Sequence, residues 1–277
     1  MAISDDVKIK YIMMTQMKGI GPITQHALLD VCGGIDKCFE VDYYDLTISD
    51  DAKKIGIKRI DSFIQQREDE KIRRCSEEIM NKSVDLGISI VTPEDEEFPV
   101  RFRDIDDMPV VLYAKGNLKI NEFGNSIGVV GARRCTREGK KKAIDITTEA
   151  VFGGKAVISG MAKGIDSYAH TAAIKADGYT IAVLGNGVDI CYPKEHEKLY
   201  EEIAEHDCAL SEYPPGTPPR EYNFPKRNRL IAGLSDELYV IDAGRNSGTL
   251  STLEFSRQYG REVIMSGETI NGTGRRR

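Results

Sequence analysis

The sequence predicts an α/β protein in which a small helical domain, residues 1–82, precedes a larger domain, residues 83–277, built on a doubly wound, mostly parallel sheet. Two patterns carry that expectation. From Ser126 onward, six short apolar runs ("SIGVVG", "KAVISG", "TIAVLG", "CALSEY", "ELYVID", "EVIMSG") are each followed by a Gly-containing or polar turn, and all but the last lead into a helical stretch. Parallel strands need such crossovers, and helices on both faces make the strands continuously apolar. Before Met80, by contrast, apolar residues recur at three and four spacing, the helical period. The larger domain is therefore expected to be an extended Rossmann-like unit, in which ligands bind beyond the carboxyl ends of the strands.

Taken in order, the helical segment contains "YIMMTQMKGI", "HALLDVC" and "KRIDSFIQQ". Within it Gly19, Ile20 and Gly21 separate two short helices, with Pro22 suited to the first turn of the second. Two glycines around one apolar residue let the backbone turn tightly and point amides outward, the logic of a helix-hairpin-helix or SAM-like element. An ordinary tight helical connection explains the same residues, because no Lys or Arg follows on the second helix. Residues 83–125 then switch to two short β-like runs, "ISIV" and "VVLYA", placed at the edge of the next sheet.

With 277 residues and 40% hydrophobic content the chain can bury a sizeable core. No run approaches the length of a membrane span, and two acids stand where a signal peptide would carry cations, so a cytoplasmic protein without membrane contact is expected. The cysteines (Cys32, Cys38, Cys75, Cys135, Cys191, Cys208) and histidines (His26, His170, His196, His206) are scattered, with no metal-ligand spacing, so neither a metal nor another cofactor is expected.

The net charge of -6 resides wholly in residues 1–120, while residues 121–277 sum to zero. In that neutral half cations cluster at "RRCTREGKKK", at "KRNR" (Lys226 to Arg229) and in the terminal "RRR". Local field rather than net charge decides whether a polyanion docks. Solvated helix faces are the bland explanation for Arg137 to Lys142. It fits "FPKRNR" less well, where Pro and Asn interrupt a solvent-facing pattern.

The strand-end loops point the same way. The first, "VVGARRCTREG", is not a dinucleotide fingerprint, and no lone acid follows the second strand to hold a ribose. Gly131 lets the backbone pass close to a ligand and Arg133 can fork onto a phosphate. Ser159, Gly160 and Gly164 in "SGMAKGID" suit an anion nest. Asp166 and His170 lie on one helix face as a candidate catalytic pair, although structural hydrogen bonds explain both. The long Pro-rich excursion before Arg229 delivers Phe224, Lys226, Arg227, Asn228 and Arg229 at a helix start, where cations are unfavourable without an anion partner. Gly244, Ser247, Gly248 and Thr249 form a further phosphate-type cradle. No metal cluster or activated nucleophile is evident among these loops, which favours binding over catalysis.

The order "VVGARRCTREG", "ISGMAKGIDSYAH", "TIAVLGNGVDICYPKEH", "LSEYPPGTPPREYNFPKRNRLIAGLS", "SGTLSTLEFSRQYGREV" resembles the DNA-processing protein A family (DprA, also called Smf) from about residue 83 onward. The helical segment fits that family's common N-terminal domain. The resemblance implies a non-enzymatic protein that binds single-stranded DNA, forms a homodimer, and protects and helps load the RecA recombinase on incoming DNA during natural transformation. Carried over by motif position, Arg133, Phe224, Lys226, Arg227, Asn228 and Arg229 form the DNA pocket. Ser159, Gly160, Ser247 and Gly248 line it, with Lys163 and Thr249 in the same loops. The chain departs from the family in Asp242 where Glu is usual, in Ser266-Gly267 where Pro-Gly is usual, and in a closing "ETINGTGRRR" in place of the usual segment, so the winged-helix domain that some members carry is not expected.

Two rival readings remain from the residues themselves. A phosphoribohydrolase-like enzyme would use "SGTLSTLE" with Glu254, but Arg245-Asn246-Ser247 replaces its Gly-rich loop. A nucleotide sensor fits the phosphate-suited loops as well as DNA does.

Overall fold

The computed structural model describes residues 3–48, 52, 55–103, 105–244 and 248–266. The N-terminal part consists of α1 (Asp5–Gln16), α2 (Pro22–Cys32), α3 (Ile35–Glu40), α4 (Tyr43–Ile48), α5 (Ile57–Arg67) and α6 (Glu70–Asp85). The starts follow from capping chemistry. Ser4 accepts the Val7 amide, Pro22 opens α2, and Asp69 accepts the Lys71 amide at the start of α6. Residue 82 lies in the last turn of α6, which continues to Asp85. The hairpin around Gly19 is wired to α5, since the Lys18 amide donates to Gln66 and the Lys18 carbonyl accepts from both Gln66 and Ser62.

The remainder runs β1 (Ser89–Val91), β2 (Leu112–Gly116), β3 (Ser126–Gly131), α7 (Arg137–Phe152), β4 (Ala156–Ser159), α8 (Ile165–Lys175), β5 (Thr180–Val183), α9 (Glu197–His206), β6 (Cys208–Ser211), α10 (Asn223–Leu234), β7 (Glu237–Ile241), α11 (Thr249–Gln258) and β8 (Glu262–Ser266). Among the described residues these strands form one sheet of order β1-β2-β6-β5-β4-β3-β7-β8. The six strands expected from Ser126 onward pair in parallel, and the two short runs before them make an antiparallel edge on β6.

Alternate residues of each strand feed opposite cores, as the two-residue period requires. Ile127, Val129 and Val157 pack with Ala143, Ile165 and Ala169 of α7 and α8. Val130, Ile158, Ile181 and Val183 meet Leu230, Ile231 and Leu234 of α10 with Phe98 and Phe102. The helical segment joins the sheet through a continuous cluster in which Met13, Met14, Leu28 and Phe63 share a core with Tyr113, Ala182 and Ala209. No helix among the described residues is long and apolar enough to cross a membrane.

Chain order reverses at β3. The next strand, β4, lies on one side of it, whereas β7, reached from β6 through α10, lies on the other. The loops after β3, β4 and β7 therefore diverge around one crevice, the position at which a doubly wound sheet presents its ligand site.

Candidate functional site

A cavity of about 610 Å³ occupies that crevice. Gly131, Ala132 and Arg133 after β3 contribute to its wall, with Asp166 from α8, Gly248 and Thr249 at the start of α11, and Phe224, Arg227 and Asn228 from α10. The strand-end motifs separated by over a hundred residues in sequence thus meet here.

Arg133 is exposed at the rim, and among the described residues no carboxylate lies within ion-pair distance of it. Its loop is held from β7. Asp242 accepts both the amide and the hydroxyl of Thr136 at 2.8 Å, and Thr136 in turn caps α7 by accepting the Gly139 amide. Asp242, the residue that departs from the usual Glu, therefore positions the Arg133 loop. Gly131 admits neighbours of the chain's own, because a Cβ there would collide with the Ile241 carbonyl and with Ile165. Its backbone also contributes to the cavity wall, as expected of a strand-end glycine.

Ser159 is fully buried and donates to the Val129 carbonyl at 2.6 Å, tying β4 to β3 rather than facing the cavity. Gly160 is likewise committed. Its amide donates to Asp166 and its carbonyl accepts from Arg227. Lys163 lies outside the cavity wall and pairs with Glu195 at 2.6 Å.

The "KRNR" cations divide by helical period. Arg227 is 4% exposed and donates to the carbonyls of Gly160 and Val183. Burial lowers its pKa to about 10 against the pull of Asp166, and burial pushes Asp166 up to about 6 against the opposing effects of Arg227 and nearby amides. Arg229 points to the other flank of α10, where it forks onto Glu212 at 2.7 and 2.5 Å and donates to the Asp107 carbonyl. Lys226 is exposed, with its ammonium 5.6 Å from the centre of the Tyr222 ring. The expectation that these three cations share one anion-facing surface is corrected. Arg227 braces the cavity floor, Arg229 is spent on Glu212, and Lys226 serves a different groove.

Asn228 bridges to the start of α11 through the Gly248 carbonyl and the Ser251 hydroxyl, and Thr249 donates to the Gly131 carbonyl at 3.4 Å. Ser247 lies outside the described residues, as does the "RRR" end. Phe224 lines the cavity and stacks on Tyr192, with centroids 5.5 Å apart and planes at 28°. Tyr192, 44% exposed, also lines the cavity and was not among the residues expected there from the sequence. Its signal was an aromatic in a strand-end loop. Asp166 and His170 have separate partners, since the His170 ring meets the Thr180 hydroxyl at 2.7 Å, so the catalytic pairing is not formed. No group of three or more potential metal ligands occurs among the described residues. Among the described residues, the cavity lining combines an exposed guanidinium that has no ion-pair partner with an aromatic stack.

The family model described as DNA recombination-mediator protein A matches residues 89–276. The chain is 40% identical over 178 residues to the DNA processing protein DprA of Bacillus subtilis, an alignment covering 64% of this chain and 60% of that one. To protein Smf of Synechocystis it is 34% identical over 257 residues, covering 92% of this chain and 63% of the relative. It thus spans about three-fifths of the length of these curated relatives. The X-ray structure of DprA from Streptococcus pneumoniae superposes with a TM-score of 0.78 at 30% identity, covering 98% of this chain and 89% of that one. A Helicobacter pylori DNA processing protein A, whose structure describes a single-stranded DNA binding mode of that protein, superposes with a TM-score of 0.60 at 29% identity over 66% of this chain and 83% of that one. On the match across residues 89–276 and the identity to these relatives, the chain belongs to the DNA recombination-mediator protein A (DprA/Smf) family.

Proposed function

We propose that this protein binds single-stranded DNA in the switch-point cavity and acts as a recombination mediator. The observation that carries the reading is that exposed Arg133 and the Tyr192–Phe224 stack line the same cavity. A cation for the phosphate and an aromatic face for the base give affinity for unpaired strands without base readout. Its relatives carry DNA-processing names, and the Helicobacter structure binds single-stranded DNA. Protection of incoming DNA, loading of the RecA recombinase, homodimer formation and a cytoplasmic location belong to the same proposal through family membership. Within this reading Lys226, Asn228, Gly248 and Thr249 flank the path, while Arg227, Ser159 and Gly160 support it. Glu254, the carboxylate an enzymatic rival would use, is exposed on α11 and is not part of the cavity wall.

Fluorescence anisotropy with a labelled oligothymidine and a matched duplex, over a salt series, tests the proposal. Preference for the single strand is expected, with a steep salt dependence. Arg133→Ala is expected to weaken binding and reduce the salt slope by about one. Folded protein that binds no single strand at low salt would overturn it and direct attention to nucleotide monophosphates.

A further inference from the structure

Helix α10 is a partition between two cavities. Phe224, Arg227 and Asn228 face the switch-point cavity, whereas Asn223, Lys226 and Arg229 line a second groove of about 930 Å³ on the opposite flank. The loop carrying Tyr213 to Tyr222 forms one side of this groove, and the helical segment contributes Pro22, Ile23 and Lys82 to the other. Its acids are engaged: Glu212 holds Arg229, and Asp107 accepts the Tyr259 hydroxyl at 2.7 and 2.9 Å. Cationic character remains at Arg220 and Lys226, which lie 5.9 and 5.6 Å from the centre of the Tyr222 ring. That ring is 54% exposed, and exposed Ile23 with Pro215 and Pro218 adds apolar surface nearby.

Resting on the reading of the switch-point cavity as a single-strand site, we infer that this second groove takes flanking nucleotides of the same strand, a base on Tyr222 and phosphates on Arg220 and Lys226. Two features favour a polynucleotide there. An aromatic ring flanked by Lys226 and by Arg220, whose guanidinium donates to the Tyr222 hydroxyl at 2.7 Å, matches the alternation of base and phosphate along a strand, and it needs no sequence to recognise. The groove also adjoins the first site across the start of α10, since Tyr222, just before the helix, and Lys226 in it each stand two residues from Phe224. A strand stacked at Phe224 leaves over Pro225 and enters the second groove.

The test is a length series of labelled oligothymidines from about 4 to about 24 nucleotides, which brackets known single-strand site sizes. Wild type is compared with Tyr222→Ala combined with Arg220→Ala, and with Tyr222→Phe. Both side chains are exposed and neither belongs to the first cavity, so the fold and the first site are preserved. Affinities are expected to agree for the shortest strands and diverge with length, reaching about tenfold weaker binding in the double variant. The long-strand salt slope should fall by about one, and Tyr222→Phe should bind like wild type. Identical behaviour of variant and wild type at every length overturns the second groove and leaves the first site standing. An equal loss at every length overturns it as well, because the residues would then act on the first cavity. Wild type that binds no length overturns the site reading and this inference together.

Discussion

Arg227 and Gly160 are locked to each other: the buried guanidinium donates to the Gly160 carbonyl at 3.0 Å while the Gly160 amide donates to Asp166 at 3.1 Å. The loop after β4 is therefore shaped from α10, and glycine at its start is a steric requirement. A Cβ at 160 would lie 2.7 Å from the Arg227 guanidinium and 2.8 Å from the Asp166 carboxylate. Gly160→Ala is expected to destabilise the protein by about 1–3 kcal/mol, since overpacking displaces a hydrogen-bonded pair. Urea unfolding measures the loss, and an unchanged midpoint would show that the pair yields freely.

Arg229 and Arg133 should separate cleanly by experiment. The Arg229–Glu212 fork is buried, so Arg229→Ala strands a carboxylate and is expected to cost about 3–5 kcal/mol of stability. Its folded fraction should keep the wild-type salt slope for single-strand binding. Arg133→Ala, at the exposed rim, should do the opposite, with unfolding unchanged and the slope reduced. Parallel unfolding and anisotropy measurements on the two variants decide it.

Tyr192 contributes an exposed face to the stack with Phe224. Tyr192→Ala is therefore expected to weaken single-strand binding by about 1–3 kcal/mol, the worth of one base–aromatic stack, with little change in unfolding. Tyr192→Phe should be neutral, because the ring rather than the hydroxyl is used. Anisotropy on both variants is the check, and equal losses would assign the effect to the hydroxyl.

The strands and the switch-point crevice were legible because a parallel strand covered on both faces must be a continuous apolar run, and "SIGVVG" or "TIAVLG" has no other economical explanation. The direction of each cation on α10 was written less plainly. Arg227, Ile231 and Leu234 fall on one apolar stripe at four and seven spacing, which marks Arg227 as buried. That signal was masked by the charge of its neighbours. Arg229 pairs with Glu212 across seventeen positions and a Pro-rich loop, and nothing local in the sequence states such a contact. Ser159 reads as a phosphate ligand only until β3 is seen to supply a carbonyl for its hydroxyl.

Asp166 and His170, one turn apart on α8 and both buried, should titrate with opposite consequences. Burial raises Asp166 from 3.8 to about 6, so between those values the native state holds a proton that the unfolded chain has released, and this group's contribution to stability falls as pH rises. Burial lowers His170 from 6.5 to about 3, so across that window the unfolded chain binds the extra proton and stability rises with pH. Thr180 donates to the Val157 carbonyl and so accepts from the His170 ring, which keeps the imidazole neutral with one nitrogen unpartnered. His170→Asn retains a donor for Thr180 and removes the titration, while Asp166→Asn retains an oxygen acceptor and removes the charge. Urea unfolding of the three proteins across this range is expected to give wild-type-minus-variant curves of opposite slope. The curve against His170→Asn should rise by about 1.4 kcal/mol for each pH unit inside the window, and the curve against Asp166→Asn should fall. A flat curve for His170→Asn would mean that the imidazole finds a proton partner in the folded state, and a rising one for Asp166→Asn would mean that Arg227 outweighs burial.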